Sequence, residues 1–163
     1  SGGLGRLMGG TESDVSFTCG LIHETGAIAL SVHYPAEFNK AQELAEKNQT
    51  DLVEAEKLLF GFSHFDIAGE MMKEWGFPLQ LCQVILQCAK PEKNNLNWEL
   101  ASILALAKSL AFEWGFPSSI KSNTSIKREN LLALLEISEK KLEAWEPELK
   151  KYAEFALDTM QIP

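Results

Sequence analysis

Several features are missing or scarce in this sequence, and each absence excludes a class of protein. No uninterrupted run of about 18 apolar residues occurs, so we expect no membrane span. The first residues lack the basic, apolar and small-residue succession of a secretory signal. The three cysteines, Cys19, Cys82 and Cys88, are odd in number and have no C-x-x-C spacing, which favours buried free thiols over disulfides. We therefore expect a protein of the reducing cytoplasm.

Basic side chains are also scarce, with 15 against 23 acidic ones and a net charge of −8. Non-specific affinity for nucleic acids comes mainly from clustered lysine and arginine. The pairs Lys140-Lys141 and Lys150-Lys151 lie among glutamates, as they do on a solvated helix face. The sequence therefore predicts no nucleic-acid partner.

The pattern that is present is helical throughout. No alternating apolar and polar run of strand length stands out, and 163 residues fit one domain. We expect an all-α domain over residues 13–163, preceded by a flexible glycine-rich arm over residues 1–12. Helices are predicted over residues 14–34, 35–47, 52–60, 64–75, from 78 through 86, and over 98–114, 127–135 and 138–160, with a loop over 117–125.

Helix ends are marked by residues that cap or stop helices. Asp51, Ser63 and Asn97 precede predicted helices and are typical N-caps, and Gly61 is typical of a helix stop. Pro147 lies inside the last predicted helix and should kink or split it, because proline lacks a backbone donor.

Three segments carry a resemblance to a known family. Phe17-Thr18-Cys19-Gly20-Leu21-Ile22-His23-Glu24-Thr25-Gly26 is similar to the segment of HD-superfamily proteins that bears the paired His-Asp. The signature of HDOD domains resembles Glu56, Gly61-Phe62-Ser63-His64, Ile67, Gly69, Trp75, Gly76 and Pro78, and Ala107-Lys108-Ser109-Leu110-Ala111 aligns with the Ala-Asp-x-Leu-Ala helix of the family. The resemblance implies a compact multi-helix regulatory domain in bacterial signalling. It also implies an upstream half, several helices before Phe17, that is missing from this sequence.

The resemblance implies a metal cleft that has lost most of its ligands. Active HD enzymes hold one or two metals with histidines and aspartates. Here the pair reads His23-Glu24, the two adjacent histidines read Cys88-Ala89, and the last aspartate is Lys108. His64 matches a ligand that some relatives add. We therefore expect a vestigial cleft of His23, Glu24, His64, Cys88 and Lys108, with no bound metal, no cofactor and no catalytic residue.

Other enzyme motifs are missing, and three functions stay open. The sequence has no G-x-S-x-G, no glycine-rich phosphate loop and no H-E-x-x-H. The first hypothesis is a non-catalytic signalling or regulatory interaction module, a pseudoenzyme that contacts a protein partner or self-associates. The alternatives are a metal-dependent phosphohydrolase of the HD superfamily and a small-ligand sensor that uses the old metal cleft.

Three structural predictions follow from the pattern and the resemblance. The 98–114 helix should be central, since most of its residues are apolar. A face left open by the missing upstream helices should promote self-association. Lys108 should occupy the place of the lost metal and pair with Glu24; alternatively, its ammonium reaches water while its stem lies on the core.

Overall fold

The computed structural model describes residues 1–9, 13–116 and 126–160. Within these residues the chain forms ten α-helices and no strand, which confirms the predicted all-α class. The helices are α1 Gly2–Leu7, α2 Ser13–Ile22, α3 Thr25–His33, α4 Pro35–Asn48, α5 Leu52–Phe60, α6 His64–Glu74, α7 Leu79–Cys88, α8 Trp98–Glu113, α9 Arg128–Leu134 and α10 Glu139–Met160. The loop predicted over 117–125 lies outside the described residues.

Helix α8 is the centre of the fold, as predicted. It packs against α7, α9, α2 and α1. Every side chain from Leu100 to Leu106 is buried. Even Ser102 is fully buried, and its hydroxyl donates to the backbone oxygen of Trp98 at 2.7 Å. This hydrogen bond within the helix lets Ser102 be buried in the core without a partner from another helix.

Two of the predicted caps are confirmed and one is wrong. Asp51 accepts a hydrogen bond from the backbone N–H of Glu54 at 2.7 Å. Ser63 and Asp66 form a reciprocal capping box at the start of α6. Asn97 precedes α8 but makes no capping bond, because its side chain bridges two glutamines of α7 instead. A capping residue in the sequence therefore indicates only a local preference. At Asn97, hydrogen bonds to another helix replace the cap.

The predicted flexible arm is wrong over Gly2–Leu7, which form helix α1. Leu4 is 2% exposed and belongs to the main hydrophobic core. The glycines allow close packing, since a Cβ at Gly3 would lie 3.1 Å from the ring of Tyr152 in α10. Burial of one leucine and a tight helix contact thus order a segment whose composition indicates flexibility. Residues 10–12 of the predicted arm lie outside the described part of the chain.

The predicted 14–34 helix is two helices, α2 and α3, that part at His23 and Glu24. Side chains replace backbone bonds at the break: His23 Nδ1 lies 2.8 Å from the carbonyl oxygen of Gly20, and Thr25 donates to that of Ile22 at 2.8 Å. Such local bonds compete with the helical ladder. The break therefore falls at the two residues that the resemblance places in the cleft.

The stretch Asp14–His33 is long and apolar enough to cross a membrane by length and composition. Its 18-residue apolar window has a mean hydropathy of 1.3 and is 28% buried. The sequence was expected to contain no membrane span. Core helices of soluble proteins and signal sequences pass the same test, so the finding assigns no location.

Pro147 was predicted to kink or split the last helix, and the split is wrong. Helix α10 runs from Glu139 to Met160 with Pro147 inside it. Burial of Leu142 and Leu149 on either side of the proline anchors both parts of the helix to the same core.

Candidate functional site

A fully buried Glu56–His64 pair joins α5 to the start of α6. Both side chains are 0% exposed. Glu56 Oε2 accepts from the backbone N–H of His64 at 2.9 Å and from its Nδ1 at 2.7 Å. Since an ionised carboxylate only accepts, Nδ1 carries the hydrogen of this bond. His64 Nε2 and Glu56 Oε1 are buried and have no hydrogen-bond partner among the described residues. The carboxylate thus fixes both the backbone and the ring of His64.

Lys108 is linked to this pair indirectly, because it and His64 contact the same aromatic ring. The ring centroid of Phe65 lies 4.1 Å from that of His64. The ammonium of Lys108 lies 4.8 Å from the same Phe65 centroid. A cation over an aromatic face is attracted by the partial negative charge on that face of the ring. His64, Phe65 and Lys108 therefore form one contact series from α6 to α8.

Cys88 lies close enough to Lys108 for the lysine charge to act on its thiol. Burial raises the pKa of the Cys88 thiol to about 11, while the positive charge of Lys108 acts in the opposite direction. Burial likewise raises the pKa of Cys19 to about 12, and the nearby thiols Cys88 and Cys82 add to the shift. The three cysteines are buried free thiols of α2 and α7, as the sequence predicts.

His23 and Glu24 lie at the break between α2 and α3. His23 Nε2 is 3.6 Å from Glu24 Oε1, with side chains that are 16% and 21% exposed. Gly26 brings this region against α6, because a Cβ there would overlap the carbonyl oxygen of His64 and lie 2.8 Å from the nitrogen of Ala68. A residue without a side chain is therefore required where the two helix starts meet.

The side chains present do not fit a metal ion. Thiolates rather than thiols bind metals, and the raised pKa of Cys88 keeps it protonated. The Lys108 ammonium accepts no bond and repels a divalent cation. Throughout the described part of the chain, no group of three or more histidine, cysteine, aspartate or glutamate side chains is placed to hold a metal.

The structure links the five predicted cleft residues only in part. His64, Lys108 and Cys88 are connected through Phe65 or through charge, and His23 contacts Glu24. The pairing of Lys108 with Glu24 stays a prediction. Sequence reasoning missed Phe65, and it took Glu56 as part of a signature without recognising it as the partner of His64. The two residues lie on different helices on either side of the Gly61 turn, so only the folded chain brings them together.

Comparison with known proteins gives one structural relative and one family. No curated protein matches the chain. A protein from Shewanella amazonensis SB2B, whose crystal structure is described as that of a candidate phosphohydrolase, superposes with a TM-score of 0.69 at 24% identity. The superposition covers 91% of this chain and 53% of that protein, so the chain spans about half the length of the relative. The HDOD domain model matches residues 1–91, which include α1. Since that match covers more than half of the sequence, the chain belongs to the HDOD domain family.

Proposed function

We propose that this chain is a non-catalytic regulatory domain, a pseudoenzyme of bacterial signal transduction that acts in the cytoplasm through contact with another protein or a second copy of itself. The carrying observation is the position of Lys108. Its ammonium lies over Phe65, the ring that also contacts His64. A resident cation at this point opposes the binding of a divalent metal, and hydrolysis in the HD superfamily depends on such metals.

An exposed apolar surface on α3 supports the interaction role. Ile28 and Val32 are one helical turn apart on α3 and are 53% and 67% exposed. Contiguous apolar side chains in water mark binding surfaces more often than single ones do.

Sedimentation of the wild type and of Val32→Glu tests self-association through this surface. We expect the glutamate to shift an oligomer toward monomer, while Leu96→Glu, at an exposed loop leucine, leaves it unchanged.

Metal analysis with a hydrolysis assay tests the absence of catalysis. The purified wild type and Lys108→Asp are analysed for Mn, Fe, Ni and Zn and assayed with bis(p-nitrophenyl) phosphate. We expect no stoichiometric metal and no turnover in the wild type. Lys108→Met is the control, since it removes the charge without adding a ligand. Stoichiometric metal together with turnover in the wild type would contradict the proposal.

Metal-dependent phosphohydrolysis is the second candidate, favoured by the description of the Shewanella relative as a candidate phosphohydrolase. It requires ligands other than Lys108 and the neutral Cys88 thiol. The same assay decides between the two.

Binding of a small ligand in the old cleft is the remaining alternative, and protection of the Lys108 amine from acetylation by a bound molecule would support it.

A further inference from the structure

A groove on another side of the molecule has the dimensions of a small-molecule site. It lies between α1, α2, α10 and the C-terminal half of α8, and its volume is about 730 Å³. Ligand pockets of proteins usually measure about 300–1,000 Å³. Ala107 and Ala111 of α8 line this groove, whereas Lys108 on the same helix contacts Phe65. The groove is therefore separate from the vestigial cleft.

Aromatic rings form much of its wall. Phe17 of α2, Trp114 after α8 and Tyr152 of α10 all line the groove. Phe17 and Tyr152 are 52% and 40% exposed, although both are large apolar rings. The hydroxyl of Tyr152 already donates to Glu148 at 3.2 Å, so the ring is what it offers to an occupant. Such walls favour a flat ring system, because aromatic faces stack on one another.

Charged side chains that line or adjoin the groove differ in whether they have partners among the described residues. Lys150, beside the Trp114 ring, pairs with Glu146 at 2.6 Å. Asp14 lines the groove and has an interaction of its own. Arg6 of α1 also lines it, is exposed, and has no ion-pair partner among residues 1–9, 13–116 and 126–160. Arg6 can therefore pair with the acidic group of an occupant.

We propose that this groove binds a small organic anion with a flat aromatic body. The body lies among Phe17, Trp114 and Tyr152, and the acidic group pairs with Arg6. This site does not depend on the regulatory role proposed above, because it shares no residue with the cleft.

Two fluorescent probes of similar shape and different charge test the proposal on the full chain. The anionic probe is 8-anilinonaphthalene-1-sulfonate, and the uncharged one is N-phenyl-1-naphthylamine. We expect both to bind saturably at one site. Arg6→Met should weaken only the anionic probe, by about threefold to fivefold, the range of an exposed charge pair. Lys151→Met, an exposed cation of α10 outside the groove, should change neither affinity.

Variants that fill the groove locate the site. Ala111→Phe on α8 and Ala153→Phe on α10 each place a ring in the groove. Each should weaken both probes about tenfold or more by occupying their volume, while the exposed Ala133→Phe on α9 should not. Two fillers on different helices keep the test valid if one variant fails to give the wild-type circular dichroism.

Four results would overturn the proposal. The first is the lack of saturable binding of either probe, and the second is unchanged binding in both fillers. The third is an equal loss of both probes in Arg6→Met, since the charge would then not be recognised. The fourth is an oligomer that the fillers convert to monomer in sedimentation, since a second copy of the chain would then occupy the groove.

Discussion

Removing the carboxylate of Glu56 should be one of the most destabilising single changes in this protein. Glu56→Leu deletes both hydrogen bonds to His64 and leaves the His64 N–H and ring nitrogen buried, since both side chains are 0% exposed. Each buried donor left without an acceptor costs about 1–3 kcal/mol, so removing the acceptor of these two donors costs about 2–6 kcal/mol. We expect a loss of that size in the free energy of unfolding.

A double-mutant cycle separates this pair from general packing. His64→Phe keeps a ring of similar shape but removes the acceptor's side-chain partner. In the double variant with Glu56→Leu, only the backbone N–H of residue 64 stays without an acceptor, at about 1–3 kcal/mol. The double variant should therefore lose less stability than the two single losses added together, with a coupling energy of about 2 kcal/mol.

Urea unfolding followed by circular dichroism measures all four corners of the cycle, provided that the m-value does not change. The His23–Glu24 contact is the control, because it joins the same residue types at 3.6 Å with partly exposed side chains. Its coupling should stay below about 1 kcal/mol. A Glu56–His64 coupling no larger than that of the control would refute the reasoning.

Other predictions concern the core, the helix junction, the cleft and the thiols. Leu104→Ala should cost about 2–5 kcal/mol in urea unfolding, and less than about 1 would remove α8 from the centre. Gly26→Ala should cost about 1–3 kcal/mol by overpacking the start of α6; no loss would contradict the close contact. A cycle of Glu24→Leu and Lys108→Met should show coupling if the two pair, and additivity would exclude the pair. The pKa of Cys19, raised to about 12, means that iodoacetamide at pH 8 should label it only on unfolding. Because this folded pKa exceeds the ordinary value of 9.0, the stabilising contribution of the thiol is complete below pH 9 and is lost as pH rises toward 12. Fast labelling of the native protein would contradict this burial.

Local chemistry determines which parts of the fold were predictable. Asp51 and Ser63 act on backbone groups within three residues, so their caps follow directly from the sequence. Helix α1 does not, because its order depends on Leu4 entering a core formed mainly by later helices. The same holds for Asn97, whose amide bonds to α7 rather than to α8.

The candidate site also has a part that the sequence predicts and a part that it does not. The resemblance identified His64 and Lys108 by their positions in aligned segments. An aligned position does not tell which side chains contact a residue in the folded protein. Glu56 approaches His64 across the Gly61 turn, and Phe65 contacts Lys108 from another helix. Both contacts require the tertiary packing of α5, α6 and α8, so no helical period in the sequence reveals them.

A buried imidazole and a nearby lysine both need electrostatic compensation, and these contacts provide it. A buried imidazole needs a hydrogen-bond partner once no metal binds it, and Glu56 supplies a carboxylate that also caps the start of α6. A lysine in the same region needs compensation as well, and the Phe65 ring supplies about 0.5–2 kcal/mol. That attraction is weaker than the cost of full burial, which accounts for Lys108 staying partly exposed. Glu56 holds His64 at Nδ1 and leaves Nε2 without a hydrogen-bond partner among the described residues. A carboxylate in that position is compatible with a metal ligand, so the positive charge of Lys108, rather than Glu56, is what opposes a metal ion beside this ring.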